Sequence, residues 1–301
     1  MPEMTVRTSD TLDRDIDRRG VMGAVVTSMS WAATGVWVNL APALSPLALV
    51  AWRLLLAAAL FWLLFPRVRR GFGLQAWGLG AMLVAYYLAA VFAFQHAPVG
   101  EVALCIGCAP LFVLLYQALI GRWPTWREIV AVALTLAGLV VMVWPGLLGT
   151  GVARMWSGLL VALVAAALTA AYATLHRRLA LRQRAPSGAE IGRTAFAPLG
   201  AALLAVAWLH GPSVRVLPLE ILPVIAVIGL GIVSTALPTV AVAVASSRLP
   251  AFLNTLIRLT TPLFATGFGW AFLAQQPTAW TVAGGALILS GLFVQGVRAR
   301  E

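Results

Sequence analysis

Ten apolar runs, each close to the length that crosses a bilayer as a helix, leave this chain few ways to fold. They fall at 21–41, 46–65, 74–95, 99–120, 127–144, 155–175, 194–210, 220–245, 249–273 and 278–297. A hydrocarbon core about 30 Å thick takes about 20 helical residues. Each run is apolar nearly all round, as a helix surrounded by lipid must be when it satisfies its own backbone. Charged residues are 10% and hydrophobic residues 61% of the 301 positions, against about 25% charged in a soluble domain. Too few polar groups remain to coat a water-soluble surface. The expected fold is an all-α membrane protein with ten transmembrane helices, multi-pass in a bacterial inner (cytoplasmic) membrane. The shortest run is 194–210, and 220–245 is long and carries Pro223 and Pro238, which predicts a tilt or kink.

The net charge of +11 would suit a nucleic-acid binder, but the placement of the charges excludes one. All 21 basic residues are arginine, and most sit in short segments between apolar runs, so no basic face exists for a phosphate backbone to follow. Residues 1–20 mix Asp10, Asp13, Asp15 and Asp17 with Arg7, Arg14, Arg18 and Arg19 and read as a disordered, cytoplasmic tail. With the N-terminus inside, the inner segments hold 17 arginines. The outer loops hold only Arg154 and Arg215, and Arg53 and Arg258 lie within runs. That asymmetry puts both termini in the cytoplasm.

The sequence also repeats itself. Gly78-Leu79-Gly80 recurs as Gly229-Leu230-Gly231, Pro98 as Pro250, and Pro110-Leu111-Phe112 as Pro262-Leu263-Phe264. Pro124-Thr125 recurs as Pro277-Thr278 and Gly138-Leu139 as Gly291-Leu292, at offsets that drift from 151 to 153. Five helices in 21–145 therefore align with five in 155–297. An odd number of crossings makes the second copy enter from the opposite side, giving two inverted-topology repeats. Such an architecture places a substrate site near the midplane and permits alternating access.

Two five-helix repeats, proline-containing fourth and ninth helices and small-residue fifth and tenth helices resemble EamA-type permeases of the drug/metabolite transporter superfamily. The resemblance spans about residues 21–297. It implies a carrier of metabolites, often an exporter of amino acids or related compounds, with a cavity lined by the first, third, fourth, sixth, eighth and ninth helices. The family often closes its fourth and ninth helices with an acidic residue, whereas Gly121-Arg122 and Gln275-Gln276 stand here.

Among residues that could carry chemistry, Arg258 is the sharpest. It lies about 13 Å inside the ninth run, where a guanidinium is costly unless it faces a cavity or a partner. It would hold a substrate carboxylate or phosphate in bidentate fashion, or bond helix carbonyls as a structural residue. Arg53, in the second run where EamA-like chains commonly show an arginine, reads as structural. Glu101 opens the fourth run as a dipole-stabilised carboxylate or a gate, with His96 beside it as the one acid–base pair near the membrane. Trp31, Tyr86, Tyr87, Tyr172, Thr235 and Asn254 stand on the cavity helices implied by the resemblance, at mid-span depth. Aromatic walls with few polar anchors suit a small amphipathic ligand. Pro110 and Pro262 occupy matching places and read as hinges or kinks. Trp37, Trp123, Trp126, Trp144, Trp156 and Trp280 lie near run ends as interfacial anchors.

No Asp or Glu lies at the centre of a run, which disfavours proton-driven export of cations and favours zwitterions or anions. Coupling to protons is left open, and so is a monomer against a homodimer. Cys105-x-x-Cys108 puts two thiols on one helix face without further ligands, a packing pattern more than a metal or redox site. No cofactor, metal or nucleotide motif is expected. The expected function is a secondary transporter, an exporter of a small zwitterionic or anionic metabolite. The alternatives are a flippase for a lipid-linked anion and an intramembrane thiol-redox enzyme.

Overall fold

The structure is a computed structural model that describes residues 17–67, 73–119, 121, 123, 125–144, 152–209, 220–258 and 260–296. Residues 1–16, Arg69, Arg70, Arg122, Pro124, Arg215, Arg298 and Arg300 lie outside that set. The described residues are helical, with no strand among them. The helical segments are α1 (Arg18–Asn39, with a turn at Ala33), α2 (Pro46–Leu64), α3 (Leu74–His96) and α4 (Val99–Leu119, broken at Cys108). They continue as α5 (Trp126–Val143), α6 (Val152–Leu181), α7 (Gly188–Leu209) and α8 (Ile221–Arg248). Next come α9, in two pieces (Ala251–Ile257 and Thr260–Leu273), and α10 (Ala279–Gly296). Eight of them are long and apolar enough to cross a membrane. In α5 and α10 the apolar described stretches are shorter, Ile129–Gly138 and Ala279–Gly291.

Helices α6 and α7 each extend six residues beyond their apolar runs and α8 is distorted within its own; for α7 and α8 a charged or proline residue explains the difference. The seventh run stops at Arg193, yet α7 begins at Gly188, where the Ser187 hydroxyl accepts the Glu190 N–H as an N-cap. A wide π-helical turn, Gly192–Phe196, carries the helix past the arginine. Arg193 is accommodated because its Nη1 donates to Phe65 O and Pro66 O at 2.5 and 3.0 Å and its guanidinium lies over Trp62. In α8 the expected distortion is a second π-helical turn, Ile232–Ala236, just before Pro238. Proline has no N–H for the carbonyl four residues back. That carbonyl, Ser234 O, accepts instead from Arg53 Nη2 at 2.5 Å.

The packing pairs helices across the two halves of the chain. α3 runs along α6 and α1 along α8; α2 lies against α7, α4 against α9, and α5 against α10. Small residues set the closest approaches, as expected where lipid offers no hydrophobic drive for association. A Cβ on Gly138 would sit 2.6 Å from Gly284 O, and one on Gly291 would sit 2.7 Å from Ala131 O. The two repeat-matched glycines thus line opposite sides of one α5–α10 crossing. Likewise a Cβ on Gly23 of α1 would sit 2.7 Å from Ala241 O of α8.

At one end Asp17 caps α1, accepting from Arg19 N at 2.9 Å and Gly20 N at 3.3 Å. Arg248, the last residue of α8, pairs with the same carboxylate at 2.6 Å. The hydrogen bond from Arg248, aided by the helix N–H groups, holds the Asp17 carboxyl below its ordinary 3.8. A carboxyl depressed in the folded state contributes stability above its unfolded value and loses it as pH falls through the folded one. Asp17→Asn is therefore expected to lower the melting temperature equally at pH 5 and pH 8, with the difference from wild type shrinking below about pH 4. Gly138→Leu is expected to cost about 1–3 kcal/mol by overpacking, read as a lower melting temperature in detergent. An unchanged melt would mean that the α5–α10 crossing is looser than its geometry.

Candidate functional site

The breaks in α4 and α9 face each other, and each has a proline just beyond it. Pro110 removes the N–H that would have bonded Ile106 O, and Pro262 the one for Arg258 O. Ile106 and Arg258 are 152 positions apart, the offset that relates the two Pro-Leu-Phe segments. The break in α9 is closed instead by Thr261 N donating to Arg258 O at 2.9 Å, and that in α4 by Leu111 N donating to Cys108 O at 2.9 Å.

Between the breaks lies a cavity with walls from four helices. α1 gives Trp31 and Ala32, and α3 gives Tyr86 and Phe94. Ala103, Ile106, Gly107 and Ala109 come from α4, and Thr255, Arg258, Thr261 and Ala265 from α9. Its volume is only about 20 Å³, so its walls nearly meet and it admits little more than a water molecule. Arg258 is 6% exposed, with its guanidinium carbon 4.7 Å from the centre of the Trp31 ring. Its Nε and Nη1 have no hydrogen-bond partner, and among the described residues it has no ion-pair partner. A ring face compensates a desolvated cation only in part. The Trp31 ring packs on Tyr86 at 4.7 Å, and Tyr86 on Tyr87 at 5.4 Å.

Arg53 has a different environment. It is fully buried, donates from Nε to Thr235 Oγ1 at 2.7 Å and from Nη2 to Ser234 O, and lies 4.1 Å from the Tyr87 ring centre. Thr235 in turn donates to Leu230 O at 2.6 Å, Ser234 Oγ to Ser30 O at 2.8 Å, and the Tyr87 and Thr239 hydroxyls meet at 3.2 Å. This polar seam knits α2, α8, α1 and α3 at the π-helical turn. Arg53 fills the gap that Pro238 opens in the backbone ladder.

The structure brings Trp31, Tyr86 and Arg258 onto one cavity wall and puts Tyr87 and Thr235 in the seam behind it. Tyr172 is buried with its hydroxyl unpartnered and its ring stacked on His176 at 5.5 Å. Asn254 Nδ2 donates to Ser246 Oγ at 2.9 Å while its Oδ1 has no partner. Glu101 sits in the first turn of α4, off the cavity wall, with Oε2 unpartnered. His96 does not pair with it among the described contacts. It turns back onto its own helix, stacking on Phe92 at 4.0 Å, with Nδ1 2.7 Å from Phe92 O. Trp37, read from the sequence as an interfacial anchor, is also part of the helix packing. It wedges against Gly229 of α8, where a Cβ would lie 2.5 Å from its ring. Gln275, standing where an acidic residue is usual, accepts from Val99 N at 3.1 Å and ties the end of α9 to the start of α4. Cys105 and Cys108 are free, buried thiols, and no group of three or more His, Cys, Asp or Glu able to hold a metal occurs among the described residues.

The apolar lining residues Phe94, Ala103, Ile106, Ala109 and Ala265 were invisible in the sequence, since an apolar residue in an apolar helix carries no mark. Ile106 did have a signal, as the repeat partner of Arg258. Thr261, three positions beyond Arg258 on a helical spacing, had another.

The model of the EamA-like transporter family matches residues 18–144 and again 156–296. The chain belongs to that family. Among curated proteins it is similar to the pseudopaline exporter CntI of Pseudomonas aeruginosa. In strain UCBPP-PA14 the two are 28% identical over 287 residues, covering 91% of this chain and 95% of the exporter. The same figures hold for the exporter of strain PAO1. A solved crystal structure shares the fold with a TM-score of 0.70 and 21% identity, covering 93% of this chain and 97% of the other. This EamA-family chain is thus a multi-pass membrane transporter of small molecules.

Arg53→Ala would strand Ser234 O and leave Thr235 and Tyr87 without their cation, at about 1–3 kcal/mol per orphaned buried group. It is expected to lower both the melting temperature and the yield of folded protein. A variant that melts like wild type yet loses transport would instead make Arg53 a solute ligand.

Proposed function

We propose that this EamA-family transporter exports a small zwitterionic or anionic metabolite, such as an amino acid, across the bacterial inner membrane by alternating access. The observation that carries the reading is Arg258: a buried guanidinium at a helix break, with Nε and Nη1 unpartnered, facing an aromatic and apolar cavity. A carboxylate from the solute would supply the missing acceptor and the missing counter-charge together. The described state is constricted, so helices must part for solute to enter. The prolines beyond both breaks put the freedom to bend beside the cavity.

Ten crossings in two inverted five-helix repeats, 21–145 and 155–297, support the alternating-access part. Exchanging the halves turns the α1–α8 contact into α6–α3 and maps α2–α7, α4–α9 and α5–α10 onto themselves, as any pseudo-twofold relating the halves would; the odd number of helices per repeat is what makes the proposed axis lie in the membrane plane. The family model matches once in each half. The exporter role of the relatives supports outward flux. The arginine asymmetry supports cytoplasmic termini and an outer loop at Thr150, opposite to Ser187.

Arg258→Ala is expected to abolish efflux of labelled solute from preloaded cells while the protein inserts at normal levels. Arg258→Lys, which keeps the charge but not the fork, should retain a small part. Efflux by Arg258→Ala at the wild-type rate would refute the assignment. Single cysteines replacing Thr150 and Ser187 in a Cys-free chain are expected to react with an impermeant reagent from opposite sides. Equal labelling from one side would refute the topology.

A further inference from the structure

A second concavity lies on the outside of the bundle, between α3, the second half of α4, and α6. Its volume is about 360 Å³, it is open on one side, and it shares no lining residue with the cavity described above. Its floor on α6 is small: Ala167, Ala171 and Thr174. Its rim is leucine, with Leu115 56%, Leu119 78% and Leu175 40% exposed. At one end stands Arg178, in the last turn of α6, exposed, with Nη1 donating to the Tyr116 hydroxyl and its guanidinium 4.9 Å from that ring's centre. That hydrogen bond takes one of five N–H donors.

We infer that this groove holds one anionic phospholipid, its phosphate on Arg178 beside Tyr116 and one acyl chain laid along α6 against the alanine floor. From Arg178 to Ala167 is eleven residues, about 16 Å along the helix, which matches half of a hydrocarbon core about 30 Å thick. A groove of one leaflet's depth, apolar throughout and cationic at one end, complements a lipid. The arginine and tyrosine stand where a headgroup lies, as basic and aromatic residues do at membrane interfaces. Arg182 and Arg184 follow Arg178 in the chain, both exposed, and favour an anionic over a neutral headgroup there, whereas Arg177 turns away to donate to Ser247 O of α8 at 2.6 Å. A water-soluble solute would leave the leucine rim unmatched. The inference needs only that the groove faces lipid, and it stands apart from the assignment of Arg258.

The test is native mass spectrometry of the full chain in detergent, titrated with phosphatidylglycerol or with phosphatidylcholine of the same acyl chains. The wild type is expected to retain phosphatidylglycerol preferentially. Arg178→Gln should cut that preference roughly fivefold, the worth of one arginine near an anionic surface. Ala171→Trp, which fills the floor, should cut retention of both lipids. Size-exclusion elution identifies variants that fail to fold, and either variant alone then decides the matter. Equal retention of the two lipids by the wild type would overturn the proposal. So would glycerol phosphate competing as well as the lipid does, since that marks a headgroup-only anion site. A dimer mass lost in Ala171→Trp would assign the groove to a second copy instead.

Discussion

Two guanidinium groups buried in a low-dielectric bundle govern how this protein is built. Moving a cation out of water costs several kcal/mol unless the surroundings replace its hydration shell, so each site must be organised around its arginine. Arg53 meets most of that requirement within the protein, through a threonine hydroxyl, a carbonyl released by Pro238 and the face of Tyr87, with only its Nη1 left unpartnered. Arg258 meets it only in part, through the face of Trp31. One cation is bonded across three helices, and the other keeps two unpartnered nitrogens beside the cavity, the feature on which the proposed solute contact rests.

Proline links the two. Pro238 distorts α8 and creates the acceptor that Arg53 occupies, and Pro262 lies four residues beyond the break that displays Arg258. In each case the missing N–H decides where irregular backbone forms, and irregular backbone within a bilayer is tolerated only where protein or a cavity covers it. The site is therefore a consequence of the covalent structure of two residues as much as of the charged ones.

Much of this was legible in the sequence. Apolar run lengths gave nearly all the helices, since lipid permits little besides continuous helix. Arg258, Trp31 and Tyr86 could be picked out because polar and aromatic groups stand out against aliphatic spans. Three kinds of feature were hidden. Helix α7 extends six residues before its run because Arg193 finds two carbonyls, a tertiary fact that hydropathy cannot see. That Trp37 packs on Gly229 of α8 was hidden because its position in the chain says nothing about which side of the helix it faces. The cavity's aliphatic wall went unmarked, and Tyr87 and Thr235 looked like lining residues until their hydroxyl contacts placed them behind it.

The repeat partner of Arg258 is Ile106, so the two copies are unequal at the very point where they meet. Under the alternating-access reading proposed above, perfect duplication would give states open to either side the same energy, and solute would enter and leave both at the same rates. A lone guanidinium removes that degeneracy. Forward and reverse turnover can then differ in speed and in half-saturation, as a rectifier differs from a wire. At equilibrium the two fluxes are equal whatever that asymmetry, and the direction of net flux is set by the solute gradient and whatever ion accompanies it.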